Sequence, residues 1–493
     1  MDISNTVGNF FKKVFTTKNF LFFGFFILSF FVFAGEVSAA NWYVRPSGGS
    51  YGLANGTSYD NAWNGFASIV WGTGGVTAGD TLWLDGSATY SERLNIATSG
   101  TSGNPITIDG GYGGGKAIIN KIGDYCIVGN DRNYLTIKNI EARNGLDAIV
   151  LFYKVHDLVF QNSSFNTSTS SYMLKINAPT GYDSYNIDII DNDFSNATSS
   201  IGVHFSHLGN TFYNVNILRN TADSLAKFVR VYGSEEQVGI PNIPPYHFHV
   251  EDNVISNTKS NAISINSGLK SYGGTSYIRN NTLTNIGDGS VAQNAFELSW
   301  FDSVVIENNI VNTSTGDGVS DGHGMAISNG FGSDTYLSAN NIIRNNIFSG
   351  CTSATYSSGF SIWRGINNQI YNNISYNNHV GFKNSNALNT GNVFYNNSAY
   401  NNSLAGFRFD TTAATATLKN NIFSSSQYGN QVTNTVSIPT LSNNVFYNNS
   451  LYDRYNAQTA STFSAGSGSV SSNPSFSNST LNVPLPAGLT NFQ

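Results

Sequence analysis

Residues able to hold an anion or move a proton recur at one position of a repeated four-residue pattern. The pattern is small-apolar-x-apolar. It reads "MLKI" at 173–176, "GVHF" at 202–205, "FVRV" at 228–231, "AISI" at 262–265 and "AFEL" at 295–298. Strand side chains alternate, so the apolar residues face a core and x faces out. The outward residues are then Lys175, His204, Arg230, Ser264 and Glu297. Val150 in "AIVL" precedes them, and Ala326, Ser361, Lys383 and Arg408 follow. Two residues beyond each, again outward, lie Asn177, Ser206, Tyr232, Asn266, Ser299, Ser328 and Trp363. A cation, an imidazole and a second cation in sequence form a kit for neutralising a carboxylate and removing a nearby proton. On strands stacked about 4.8 Å apart, two full like charges repel by about 3.5 kcal/mol at an effective dielectric of about 20. The trio therefore predicts a neutral His204 or a lowered Lys175 pKa.

The elements that position these residues come from a repeat. An apolar residue, any residue and then Asn recurs at Asn139, Asn162, Asn192, Asn220, Asn280, Asn308, Asn345, Asn372, Asn396, Asn420 and Asn443, with Asp252 once in the same place. The spacing is 23–37 residues, which is the signature of a solenoid or a propeller. Each unit holds short β-branched or aromatic runs between Gly, Asn and Ser turns, with no helical period. The units are too short for four-stranded blades and lack a leucine pattern. An all-β, single-stranded, right-handed parallel β-helix of about 12 or more coils fits. The recurring Asn is expected at an inward-pointing turn, bonded to the Asn above and below. The longer units are coils with an extra loop.

Composition agrees with one long repetitive domain. The 493 residues are only 11% charged, carry a formal charge of −6 and are 13% aromatic. That is too apolar for a disordered chain. No basic run follows residue 40, which speaks against a nucleic-acid partner. At the start, Lys12, Lys13 and Lys18 precede "NFLFFGFFILSFFVFAG" and then "EVSAA". This reads as a secretory signal over 1–40, too short in its apolar core for a span of about 20 residues. The chain is then expected outside the cell, with no membrane contact after cleavage. Residues 41–130 are read as an N-terminal cap and first coils, 131–450 as the repeats, and 451–493 as a cap or loose tail. Cys126 and Cys351 sit many coils apart and are expected to be small buried residues without a bridge.

The stacked Asn positions, with "WYVRPSGGS" at 42–50, "AGDTLWLDGSATYSERLNI" at 78–96 and "TSGNPITIDGGYGG" at 101–114, resemble the pectate-lyase-like superfamily of β-helix proteins. The likeness covers roughly 41–450. It implies a fold that hosts lyases, hydrolases, epimerases and adhesive spikes. The lyase reading implies that Arg230 holds a uronate carboxylate. His204 or Lys175 takes the proton, Tyr232 is a possible acid, and Glu297 orients Arg230 or binds a metal. In such lyases calcium commonly assists; "GSEEQ", with Glu235 and Glu236, is the nearest acidic group. The implied partner is an extracellular uronate-containing polysaccharide, bound by a monomer. Asn266, Trp300 and Trp363 are candidate sugar contacts. Trp300, Trp363 and Tyr376 equally fit as caps on coil turns.

"GDGVSDGHGMAISN" at 316–329 resembles the polygalacturonase hydrolases through Gly322, His323 and Gly324. It departs from them in lacking the paired aspartates and the Arg-x-Lys motif. Asp317 and Asp321 lie on one loop, whereas hydrolysis needs two carboxylates flanking the bond. His323 stands as a candidate for the same cleft as Arg230, and equally as the edge of a tight turn. His247, His249 and Glu251 have alternate spacing that fits either a metal or a strand end. A third reading is a non-catalytic surface or adhesive β-helix. The long units fall between Asn162 and Asn372, beside the charged positions, and favour the enzyme. The coils from 372 to 450 read as scaffold.

Overall fold

The computed structural model describes residues 39–166, 170–207, 209–233, 243–271, 274–290, 293–316, 322–329, 336–353, 355–410, 415–433 and 438–474. The proposed signal segment lies almost wholly outside these, as do Glu235, Glu236, Asp317 and Asp321.

The described residues from Asn41 to Ser471 form a right-handed parallel β-helix. Every pairing between its named strands is parallel, from Asn41–Arg45 against Thr81–Asp85 to Val445–Tyr447 against Val470–Ser471. The strands form sheets of 20 and 27 members. The larger is two faces joined at a corner. Asp193–His207 and Thr221–Gly233 are long enough to bend through that corner and pair on both sides of it. Inside runs one continuous apolar column that includes Phe160, Phe165, Phe194, Phe205 and Phe248, all fully buried. Each such ring contributes roughly 1.5–3 kcal/mol by leaving water.

The inward Asn ladder exists, but it is shifted by one residue along most of its length. It consists of Asn192, Asn220, Asn253, Asn281, Asn309, Asn346, Asn373, Asn397, Asn421 and Asn444, all at most 2% exposed. Of the positions expected from sequence, only Asn192 and Asn220 point inward. In the Asn-Asn coils the first residue takes a left-handed turn, with φ between 53° and 57° at Asn280, Asn308, Asn345, Asn372, Asn396, Asn420 and Asn443. Asn tolerates that region better than most residues. The turn breaks the strand's two-residue alternation, so the next residue is the one that enters the core. There Asn281 donates its main-chain N–H (3.1 Å) and Nδ2 (2.9 Å) to Asn309 Oδ1, and Nδ2 also reaches Val250 O (2.8 Å). The pattern repeats from coil to coil, so a buried polar column is satisfied throughout.

Outside, stacking in register places like residues over like. His156, Tyr185, Tyr213 and Tyr246 stack face to face on successive rungs at 4.7–5.1 Å. Cys126 and Cys351 are free and buried, and burial pushes their thiols up to about 11 and about 12. Both are inert at neutral pH.

Candidate active site

The outward row is continuous. Lys175 pairs with His204, His204 with Arg230, Arg230 with Ser264 and Ser264 with Glu297. It runs on through Ala326, Ser361, Lys383, Arg408 and Gln431. Its start differs from the sequence reading. Leu151, not Val150, neighbours Lys175, and Val150 is fully buried opposite Leu174. "AIVLFY" is apolar in both phases, so alternation alone could not choose between them.

His204 is 4% exposed despite sitting on the outside of the sheet. The ring of Tyr172 stacks on it at 4.4 Å, with 17° between the planes. Burial first, then the charges of Arg230 and Lys175, push the imidazole down to about 3. It is therefore neutral at ordinary pH, as the like-charge argument required. Its buried Nδ1 has no hydrogen-bond partner of normal geometry among the described residues, though the backbone of Arg230 lies near enough to favour the protonated ring slightly.

The two flanking cations are treated differently. Lys175 Nζ lies 3.0 Å from Asp147 Oδ2 and 4.5 Å from the centre of the Tyr172 ring. Arg230 lies over Tyr232 at 4.5 Å, and its guanidinium has no hydrogen bond or ion pair among the described residues. Glu297 Oε2 accepts from Asn261 Nδ2 and from Ser264 Oγ (3.2 Å). It does not contact Arg230 directly. Instead its charge acts on Lys227. Burial holds that ammonium below the ordinary lysine range, with Glu297 pulling it up and Arg230 pushing it further down.

Asp147, Tyr172, Lys227 and Asn261 were absent from the sequence reading. Asp147, Tyr172 and Asn261 sit at or just before strand starts, where period-two reasoning does not reach, while Lys227 lies within the long strand Thr221–Gly233. Lys227 is further hidden by a register break between Ala197 and Ile201 on the neighbouring strand. The only sequence signal for it is its place three residues before Arg230.

The remaining candidates separate. Asn266 is half-buried, and its Oδ1 lies 3.2 Å from Ser264 Oγ, competing with Glu297 Oε2 for the single hydroxyl proton. Trp363 is 50% exposed in the outer row and presents a ring. Trp300 is 9% exposed, lies 4.4 Å from the Tyr336 ring and has Lys270 over it at 4.9 Å, so it caps a turn. Tyr376 is buried too. His323 belongs elsewhere than expected. Its Nδ1 bonds Ser358 Oγ at 2.8 Å. Burial pushes its imidazole down to about 3, and the charges it feels are Lys383 and Asp410 rather than Arg230. Gly322 (φ 125°) and Gly324 make the tight approach around it; a Cβ on Gly324 would lie 2.6 Å from Gly359 O. His249 has both nitrogens bonded, to Asn216 Oδ1 and Thr275 O at 2.9 Å each, and Glu251 is held by Arg279 at 2.6 Å. That is a strand, not a metal centre.

Among the described residues no three of His, Cys, Asp and Glu stand together as a metal-ion ligand set. Glu297, the carboxylate nearest this row, is bonded to Asn261 and Ser264. Among the described residues, no helix is long and apolar enough to cross a membrane.

The sequence matches the family described as "Right handed beta helix region" over residues 271–451. No curated protein matches it. Among solved structures it is similar to a mannuronic acid specific polysaccharide family 6 lyase from human gut microbiota, at 13% identity and TM-score 0.41, over 76% of this chain and 83% of that one. It is similar to the periplasmic alginate epimerase AlgG at 12% identity and TM-score 0.39, over 76% and 77%. It is also similar to the catalytic unit of a GH87 alpha-1,3-glucanase from Streptomyces thermodiastaticus strain HF3-3, at 11% identity and TM-score 0.45, over 88% and 69%. Likeness at this level concerns architecture and not reaction.

Proposed function

We propose that the Lys175–Arg230 face binds an extracellular uronate-containing polysaccharide and cleaves it by β-elimination. The observation that carries this reading is Arg230, a cation without a counter-ion among the described residues, one rung from a neutral imidazole whose Nδ1 has no partner of normal geometry among them. The guanidinium receives the uronate carboxylate and thereby acidifies the C5 proton. His204 Nδ1 takes that proton. The C5–H electron pair becomes the C4=C5 double bond, the C4–O4 bond breaks, and the Tyr232 hydroxyl protonates the leaving O4. Solvent then returns the proton from His204 to Tyr232.

An entering carboxylate offsets the charges that help to depress His204. Substrate therefore raises the basicity of the group that must act on it, while burial keeps it below an ordinary histidine. Lys175, already neutralised by Asp147, positions Tyr172 and the imidazole. The chain is read as a monomer, exported by its N-terminal segment.

The test is ultraviolet absorbance of the unsaturated product when residues 41–493 meet alginate, pectate or glycosaminoglycan, with and without calcium. A rise that Arg230→Ala and His204→Ala abolish supports the reading. New reducing ends without unsaturation would replace it with hydrolysis. Binding without any product would leave a glycan-binding scaffold.

A further inference from the structure

The same outward row contains a second polar cluster in the coils that sequence assigned to scaffold. Lys383, Arg408 and Gln431 occupy successive rungs. In the neighbouring row lie Trp363, Ser385, Asp410 and Thr433, each two residues further along its own strand. Lys383 is 4% exposed, Ser385 6% and Gln431 8%, although all lie on the outside of the sheet. These three side chains are thus shielded from solvent and do not form an open strand face.

Its hydrogen bonding is incomplete in a specific way. Asp410 Oδ1 accepts from Arg408 Nε (2.6 Å) and from Thr433 Oγ1 (2.6 Å), while Oδ2 lies 3.3 Å from Lys383 Nζ. Arg408 engages that carboxylate through Nε alone. Its two terminal nitrogens make no hydrogen bond among the described residues, so most of a five-donor fork stays open there. Gln431 Oε1, one rung on, and Ser385 Oγ, one rung back in the other row, are buried without a partner. Trp363, on the rung before Ser385, is half-exposed. Native proteins rarely bury polar atoms unpaired, and two of them flanking an open guanidinium point to a ligand. An open arginine fork suits a carboxylate or sulfate, an unpaired carbonyl and hydroxyl suit sugar hydroxyls, and an indole suits the apolar face of a pyranose.

We propose that Arg408, Gln431, Ser385 and Trp363 form a second binding site, for an acidic sugar residue of a glycan. The proposal rests on the reading of this face as glycan-binding, but not on elimination. Arg408 stands six rungs from Arg230, about 29 Å at the backbone. A polymer laid along the helix axis engages both guanidinium groups, and the second contact adds avidity without chemistry.

The test is calorimetric titration of the full chain carrying Arg230→Ala, which isolates the distal site whether or not the protein is a lyase. Three oligosaccharides serve as probes: an oligouronate, a sulfated neutral oligomer and an unmodified neutral oligomer. Gln431→Glu places a carboxylate beside the open fork and leaves the partners of Asp410 intact. Trp363→Ala removes only the platform. Both variants are checked for unchanged melting. The expected result is binding of an acidic oligomer to Arg230→Ala protein, weakened about ten-fold or more by Gln431→Glu and by Trp363→Ala. Preference between uronate and sulfate assigns the acid. Equal binding of neutral and acidic oligomers, no binding, or acidic binding untouched by both changes would overturn the proposal. Failure of the elimination reading is seen separately, as absence of unsaturated product from the unmodified chain.

Discussion

Two charged rows on different sheets of this solenoid obey opposite rules. On the smaller sheet Glu251, Arg279, Glu307 and Arg344 occupy successive rungs with alternating sign. Arg279 Nε reaches Glu251 and Arg344 Nε reaches Glu307, each at 2.6 Å, and Arg344 also donates to Tyr371 Oη at 3.1 Å. On the larger sheet Lys175, His204 and Arg230 have the same spacing and no alternation. Parallel stacking forces each residue to face its counterpart in the next coil. The alternating row is what stability alone favours, since opposite charges on adjacent strands attract and like charges repel. The other row leaves Arg230 without a counter-ion among the described residues and keeps a histidine neutral by burial and repulsion. Such a departure calls for a cause outside folding.

The strongest way to break the comparison is to remove one arginine from each row. Arg230→Ala should lower elimination on the order of 10²–10³-fold, the usual cost of one charge-stabilising donor, and leave melting nearly unchanged. Arg344→Ala should do the reverse. Product formation stays at the unmodified rate, while stability falls by roughly 1–2 kcal/mol, between the limits for exposed and buried pairs. Steady-state rates and denaturant unfolding on both variants decide it. Loss of activity in Arg344→Ala would dissolve the distinction.

A second test uses pH. His204 moves from 6.5 down to about 3 on folding. The unfolded chain therefore binds more protons between those values, and stability present above pH 6.5 is lost as pH falls toward about 3. His207, pushed down to about 4, and His323, pushed down to about 3, add to the same slope. His204→Gln should flatten the curve in this window, amounting to about 2–3 kcal/mol near pH 4.5. Denaturant midpoints at a series of pH values measure it. An unchanged slope would mean that His204 does not resist protonation.

What the sequence disclosed follows from where period-two reasoning applies. Within strands the alternation gave Lys175, His204, Arg230 and Glu297 their common row, because each sits between two core residues. It failed at Val150, where both phases are apolar. It failed again at Asn280 and its counterparts, where one left-handed residue reverses the phase. It could not reach Asp147 or Tyr172, whose positions depend on how the chain enters a strand, nor Lys227, which lies beside a register shift. His323 shares a coil with Ala326, yet its side chain leaves the strand start toward Lys383 and Asp410. Lys383 and Arg408 were visible in the row from the outset. Their significance depends on Asp410, an i+2 neighbour of Arg408, and on the unpaired Ser385 and Gln431, and no spacing rule predicts an unpaired atom.

The finest test converts one row into the other. His204→Glu would set a carboxylate between Lys175 and Arg230 and make the site row alternate like Glu251–Arg344. The suitable reference is His204→Ala, since both changes remove the imidazole and its stacking on Tyr172. Two opposite-charge contacts across adjacent strands contribute roughly 0.5–2 kcal/mol together. His204→Glu should therefore be more stable than His204→Ala by that amount, and the gain should shrink in high salt. Both variants should be inactive, the glutamate because it occupies the cation meant for substrate. A glutamate variant no more stable than the alanine one would mean that Arg230 points away from the row. The absence of a counter-ion would then reflect solvation at the sheet surface and not a site held ready for an anion.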